Sequence, residues 1–121
     1  MSRGVNHVAL LGNVGKSPEM RKLASGTLVA NLTLATNEKK KQGEKWVDHT
    51  EWHLVVLFGR LAEISEKFLR KGSQVYISGR LRTTTYEDES QTKRWRTNIV
   101  AEELVLLNGN GTGPTPVPTE T

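Results

Sequence analysis

The sequence predicts an all-β domain carrying one short helix. Three observations lead there. Apolar residues recur at every second position in segments such as Leu28 to Ala35 and Gln74 to Leu81, the spacing turns helical once, between residues 61 and 71, and turn signals separate the segments. A chain of 121 residues has room for one domain.

Val5 to Val14 reads as the first strand and ends in the turn signal Gly12-Asn13-Val14-Gly15. Leu28 to Ala35 is the second. Leu28, Ala30, Leu32 and Leu34 share one face, while Val29, Asn31, Thr33 and Ala35 share the other. Asn37 to Lys45 is too charged for a core strand and reads as a solvated loop. Trp46 to Phe58, β-branched and aromatic, is the third strand, interrupted by Gly59.

Leu61, Ile64, Phe68 and Leu69 then mark the apolar face of a short amphipathic helix, with Gly72 as its expected C-cap. Gln74 to Tyr86 is the fourth strand, Glu87 to Ser90 a hairpin tip, and Lys93 to Leu107 the fifth strand, with a break expected near Glu102 and Glu103. Five strands with a helix between the third and fourth is the order of an OB-fold, a five-stranded Greek-key barrel. The domain is expected to occupy residues 1–107. Residues 108–121 hold 3 Gly, 3 Pro and 4 Thr and read as a disordered tail or linker.

Composition narrows the function. The chain has no cysteine, so disulfide scaffolds, thiol metal sites and cysteine nucleophiles are excluded. No apolar run approaches the roughly 20 residues that span a bilayer, and the N-terminus makes a poor signal peptide. A cytoplasmic protein with no membrane partner is the expectation. The formal charge of +4 suits a polyanionic partner without proving one.

The strands carry a more specific pattern. Trp46, Trp52, Leu54, Val56 and Phe58 share one parity of the third strand. Lys39, Lys40, Lys41 and Lys45 precede them and Arg60 follows. The fourth strand repeats the theme with Arg80, Arg82 and Tyr86, and the fifth adds Arg94, Trp95 and Arg96. Flat rings offer a stacking face to any base, and cations track phosphates, so rings interleaved with cations on strands suit a single-stranded nucleic acid. Strand periodicity alone leaves Trp52 and Phe58 open between buried core rings and exposed platforms.

Several blocks resemble the SSB family of bacterial single-stranded DNA-binding proteins. They are Ser2-Arg3-Gly4-Val5-Asn6, Gly12-Asn13-Val14-Gly15 with Pro18-Glu19-Met20-Arg21, and Val29 to Thr36. Thr50-Glu51-Trp52-His53, Val55 to Gly59, Leu69 to Ile77 and Gly79 to Thr83 complete the set, which runs in order over residues 2–107. The resemblance implies an OB-fold, assembled as a homotetramer, that wraps single-stranded DNA without sequence preference and protects it during replication, recombination and repair. It carries stacking roles to Trp52, Phe58 and Tyr86, and phosphate contacts to Arg3, Arg21, Arg60, Lys71 and Arg82; Lys22, beside Arg21, is a further phosphate candidate. His53 and Tyr76 are the expected subunit-interface residues.

Two departures stand out. A further stacking Trp is expected shortly after Ala35-Thr36-Asn37-Glu38, where this chain has Lys40, with Trp46 six residues on. The acidic C-terminal docking peptide that recruits replication and repair enzymes is not among these residues, which fits a truncated chain or a phage, plasmid or specialised version.

Rival chemistries fare worse. Gly15-Lys16-Ser17 follows a strand but lacks the glycine five residues earlier that a phosphate loop needs, since Leu10 stands there. His49, Glu51 and His53 share a strand face, as a metal pair would, without an evident fourth ligand. Nothing calls for a cofactor or an enzyme. The alternative within the same fold is a protein-docking module of the primosome-accessory kind.

Overall fold

The computed structural model describes residues 4–108 and 113–116. In chain order come β1 (Val8–Val14), β2 (Glu19–Lys22), β3 (Leu28–Gln42), β4 (Lys45–Phe58), α1 (Arg60–Phe68), β5 (Gln74–Glu87), β6 (Lys93–Asn108) and β7 (Gly113–Pro116). β1 pairs with β5, β5 with β6, β6 with β4, β4 with β3, and β3 returns to β1 at Asn13↔Ala35 and Val14↔Leu34. These five strands close a ring with the helix between its third and fourth members, as expected of an OB-fold. Every pairing in the ring is antiparallel except β4 with β6, which run parallel at Val55↔Ile99 and Val56↔Val100.

Alternation decides what the ring encloses. Leu32 and Leu34 of β3, Val55 and Leu57 of β4, Val75 and Ile77 of β5, and Ile99 and Leu104 of β6 all point inward and are buried. Helix α1 packs against β3, β4 and β6 and adds Ala62 and Ile64 to this core. Burying each such side chain stabilises the fold by about 1.5–3 kcal/mol. Ala101 and Leu104 lie three positions apart yet both face inward. A bulge explains this: Ser78 pairs with Glu103 while Gly79 pairs with Ala101, so Glu102 has no partner and the parity of β6 is reset. The break expected at Glu102 and Glu103 is therefore a bulge within one strand.

The largest difference from the sequence reading lies at Asn37 to Lys45, expected as a loop. β3 and β4 instead stay paired in unbroken register to Gln42↔Lys45, forming an arm beyond the barrel. Charge argues against burial, not against pairing, and a hairpin arm exposed on both faces tolerates lysines. Gly43, at φ 64°, makes the tight turn at its tip. β5 and β6 form a second arm, ending at Glu87↔Lys93.

The helix also ends earlier than expected. Leu69 leaves it in an extended conformation and is fully buried, so Phe68 is left 58% exposed. Gly72, at φ 93°, serves the turn that follows and donates its N–H to Val14 O, instead of capping the helix. Strand β2, unforeseen in the sequence, pairs with β3 from Glu19↔Asn31 to Lys22↔Leu28. Within the expected tail, Gly113–Pro116 pair with the end of β6, and the other tail residues beyond Asn108 lie outside the described ones. None of the described helices is long and apolar enough to cross a membrane.

Candidate nucleic-acid interface

The outer surface of the ring is built from the side chains that alternation turns away from the core. One cross-strand row can be followed over five strands: Glu19 on β2, Asn31 on β3, Val56 on β4, Val100 on β6 and Arg80 on β5. The parity of β4 then places Trp46, Trp52, Leu54 and Phe58 on this same face, and the parity of β5 and β6 adds Arg82, Tyr86, Arg94 and Arg96. These are the rings and cations that the sequence singled out, and one continuous sheet surface carries them.

Trp52 is 61% exposed and Phe58 39%, which decides for outward-facing rings and against core residues. Each stands opposite a small residue on β3, Ala35 and Val29, and both of these are buried. Trp52 is seated against Gly15. A β-carbon there would run into its Cζ3 and come within 2.9 Å of Thr33 Oγ1, so the glycine makes room for the indole. Tyr86 projects from the second arm with the Arg96 guanidinium 4.9 Å from its ring centroid, a cation–π contact that fixes the ring's tilt.

Not every expected residue joins this face. Trp95 pairs with Thr85 and projects from the opposite side of the arm to Tyr86, with Lys93 Nζ 6.0 Å from its ring. On the first arm Lys39 and Lys41 share the face of Trp46, whereas Lys40 pairs with Val47 and points the other way. Trp46 therefore does not occupy the side that Lys40 presents. Arg21 lines the outer face, while Lys22 and Arg60 line a separate groove beside α1, with Lys67 and Glu63. Lys71 is exposed in the turn after the helix, and Arg3 lies outside the described residues.

Electrostatics favour an anionic visitor. Among the described residues, Arg94 is the one Lys or Arg within ion-pair distance of a carboxylate, at 2.9 Å from Asp88 Oδ2. Asp88 also accepts hydrogen bonds from Ser90 N, Ser90 Oγ and Thr92 N, which holds the tip of the second arm. The Arg94 guanidinium, with the Thr92 and Ser90 bonds, lowers the Asp88 pKa to about 2. The remaining described cations of the outer face have no carboxylate within ion-pair distance.

A groove of about 450 Å³ lies between the β1–β2 connection and β6, floored by Leu54 and Val56. Lys16, Arg21 and Arg96 stand around it, with Asn31, Thr33 and Asn98 supplying polar edges. Sequence reasoning placed Leu54 and Val56 with the rings, weighed Lys16 only as part of a phosphate loop, and gave Asn31, Thr33 and Asn98 no binding role. The alternation of β3 was the signal for Asn31 and Thr33. Lys16 and Asn98 join the groove only through pairing of distant strands.

The matching family model is the single-strand binding protein family, over residues 5–107. The chain belongs to this family. Among solved structures it is similar to a Plasmodium falciparum SSB in complex with ssDNA, with a TM-score of 0.82 and 29% sequence identity. The match covers 89% of this chain and 99% of that one. Membership accords with the closed ring and with outward rings beside free cations.

His53 and Tyr76 lie away from the groove. His53 Nε2 is 2.9 Å from Thr36 Oγ1, on the inward parity of β4, and His49 Nε2 is 3.1 Å from Glu51 Oε2. Tyr76 faces outward between Leu11 of β1 and Val105 of β6, its partners in register.

Proposed function

We propose that this chain binds single-stranded DNA without reading its sequence and shields it during replication, recombination and repair. The observation that carries this reading is the single outer face on which Trp52, Phe58, Tyr86 and Trp46 stand exposed beside unpaired cations. Bases splay onto the rings, and each stack contributes roughly 1–3 kcal/mol. Lys39, Lys41, Arg21, Arg80, Arg82 and Arg96 meet the phosphates, with Arg3, Lys22, Lys40, Arg60, Lys71 and Arg94 as further contacts along a wrapped strand. Trp95 offers a platform on the reverse side of the second arm. A base held on a ring is unavailable for pairing, so the duplex cannot re-form; no bond is made or broken.

The active species in this reading is a homotetramer. One domain meets few nucleotides, and Leu11, 55% exposed, forms an apolar patch with Tyr76 and Val105. From Val8 to Gly12 one edge of β1 pairs with β5, while the other has no partner among the described strands. An open edge is a template for a second copy. His53 is a further interface candidate. We place the protein in the cytoplasm, on the bacterial nucleoid or, for a phage- or plasmid-encoded version, in the bacterial host cell.

Titration of the intrinsic tryptophan fluorescence with oligo-dT tests the reading. Strong quenching that weakens at high salt is the expected result. A feeble response at low salt would instead favour a protein-docking role for the same fold.

A further inference from the structure

The segment after Asn108 reads in the sequence as a linker, yet four of its residues form β7. β7 pairs with the end of β6 at Val105↔Pro116, Leu106↔Thr115, Leu107↔Pro114 and Asn108↔Gly113. Two of those four residues are prolines, which have no N–H to give to a ladder.

Main-chain parity accounts for the prolines. Along an antiparallel strand the N–H and C=O groups of successive residues point to opposite edges. Val14 donates its N–H to Ser73 O and accepts from the Gly72 N–H, so its groups, and those of Gly12, point towards β5. Gly12 pairs with Val75, whose groups point back to β1. Gln74 and Tyr76 then point to β6, where they meet Leu107 and Val105. Leu106 and Asn108 are left aimed at the far edge of β6, and their partners there are Thr115 and Gly113. Pro114 and Pro116 take the alternate positions, where an N–H would have pointed away from the sheet.

The edge so covered is a hazardous one. Leu104 to Leu107 is an unbroken apolar run, and an apolar strand with an open edge is a template for another chain. Upstream, the same edge meets β4 at Val55↔Ile99 and Val56↔Val100. β7 covers the stretch beyond.

We propose that Gly113–Pro116 is an edge cap. It pairs with β6 of its own chain through Gly113 and Thr115 and turns its prolines outward, so the sheet ends there and a second copy cannot add a strand. Association between copies is thereby directed to edges that keep their donors, such as Val8 to Gly12 of β1. That last step rests on the homotetramer reading; the cap itself does not, and neither depends on DNA.

Hydrogen exchange of the full chain, followed amide by amide, tests the cap. The Leu106 and Asn108 amides are expected to exchange slowly, and equally so at chain concentrations about a hundredfold apart, as pairing within one chain requires. Thr115→Pro removes the donor that meets Leu106 O. The Leu106 amide should then exchange about tenfold faster, while those of Val105 and Leu107, bonded to β5, keep their rates. Pro114→Thr with Pro116→Thr restores donors to the outer edge. Leu106 should stay protected in this double variant, and light scattering should show a mass above the parent's that grows with concentration. The cap is overturned by a Leu106 rate that Thr115→Pro leaves unaltered, by protection that falls on dilution, which would mean pairing between copies, or by a double variant that keeps the parent's mass. A parent made of single chains would instead remove the homotetramer reading and leave the cap standing.

Discussion

The Trp52 indole rests against Gly15, at a point where any β-carbon would collide with its six-membered ring. A residue that chain reading treats as a turn signal thus seats a residue that it treats as a stacking platform.

Gly15→Ala is therefore expected to push the ring off its seat. Because the indole is exposed it can swing outward, and the cost to stability is about 1 kcal/mol. Affinity for oligo-dT falls, though by less than the roughly 1–3 kcal/mol expected for Trp52→Ala. Thermal melting and fluorescence titration measure the two effects. A Trp52→Ala protein that binds as well as the parent would rule out the stacking role.

The Arg96 guanidinium covers one face of Tyr86, which leaves the other face for a base. Tyr86→Phe keeps the ring and should bind almost as the parent does, whereas Tyr86→Leu should cost roughly 1–3 kcal/mol. Arg96→Gln should lower the slope of log affinity against log salt by about 0.7, the release expected of one phosphate contact on a single strand.

Along the first arm, Lys39 and Lys41 share the face of Trp46 and Lys40 does not. Replacing all three with alanine should reduce the salt slope without abolishing binding. The Lys39 and Lys41 pair should account for most of that loss, at about 0.7 for each lysine that meets a phosphate. Titrations at three salt concentrations, with the double and the Lys40 variants side by side, resolve the contributions.

Leu11 and Tyr76 lie side by side on the outer face of β1 and β5. A charge introduced into an apolar contact between copies remains unpaired when buried, which costs several kcal/mol. Leu11→Glu with Tyr76→Glu should reduce the assembly to single chains by light scattering, while the barrel keeps its strand content by circular dichroism. An unaltered mass would place the subunit interface elsewhere.

Asp88 holds the tip of the second arm through Arg94, Thr92 and Ser90. Its pKa in the folded chain, about 2, lies below the ordinary 3.8. The carboxylate's contribution is therefore complete above the ordinary value and is lost as pH falls through about 2. The Thr92 amide should stay protected from exchange at pH 4 and lose protection near pH 2. Asp88→Asn should weaken that protection at both pH values.

Alternation along a strand is a local property, and it was legible in the chain. It grouped Trp46, Trp52, Leu54, Val56 and Phe58 on one side of their strand and Arg80, Arg82 and Tyr86 on one side of theirs, and the structure brings both groups onto the same outer face. The helical interval after Gly59 and the irregularity at Glu102 and Glu103 were visible for the same reason, since each disturbs the period within a few residues. The lysine-rich stretch was misjudged because charge reports on burial, whereas pairing in an exposed arm is held by backbone hydrogen bonds that no side chain advertises.

Which face meets water is not a local property. Periodicity treats the two sides of β4 alike; the core lies on the side of Val55 and Leu57 because β1, β5, β6 and α1 close over it. Only that closure leaves Trp52 and Phe58 outside, brings Lys16 and Asn98 to one groove, and turns Trp95 away from Tyr86. Such relationships join residues far apart in the chain, and they exist only once loop-closure entropy has been offset by burial.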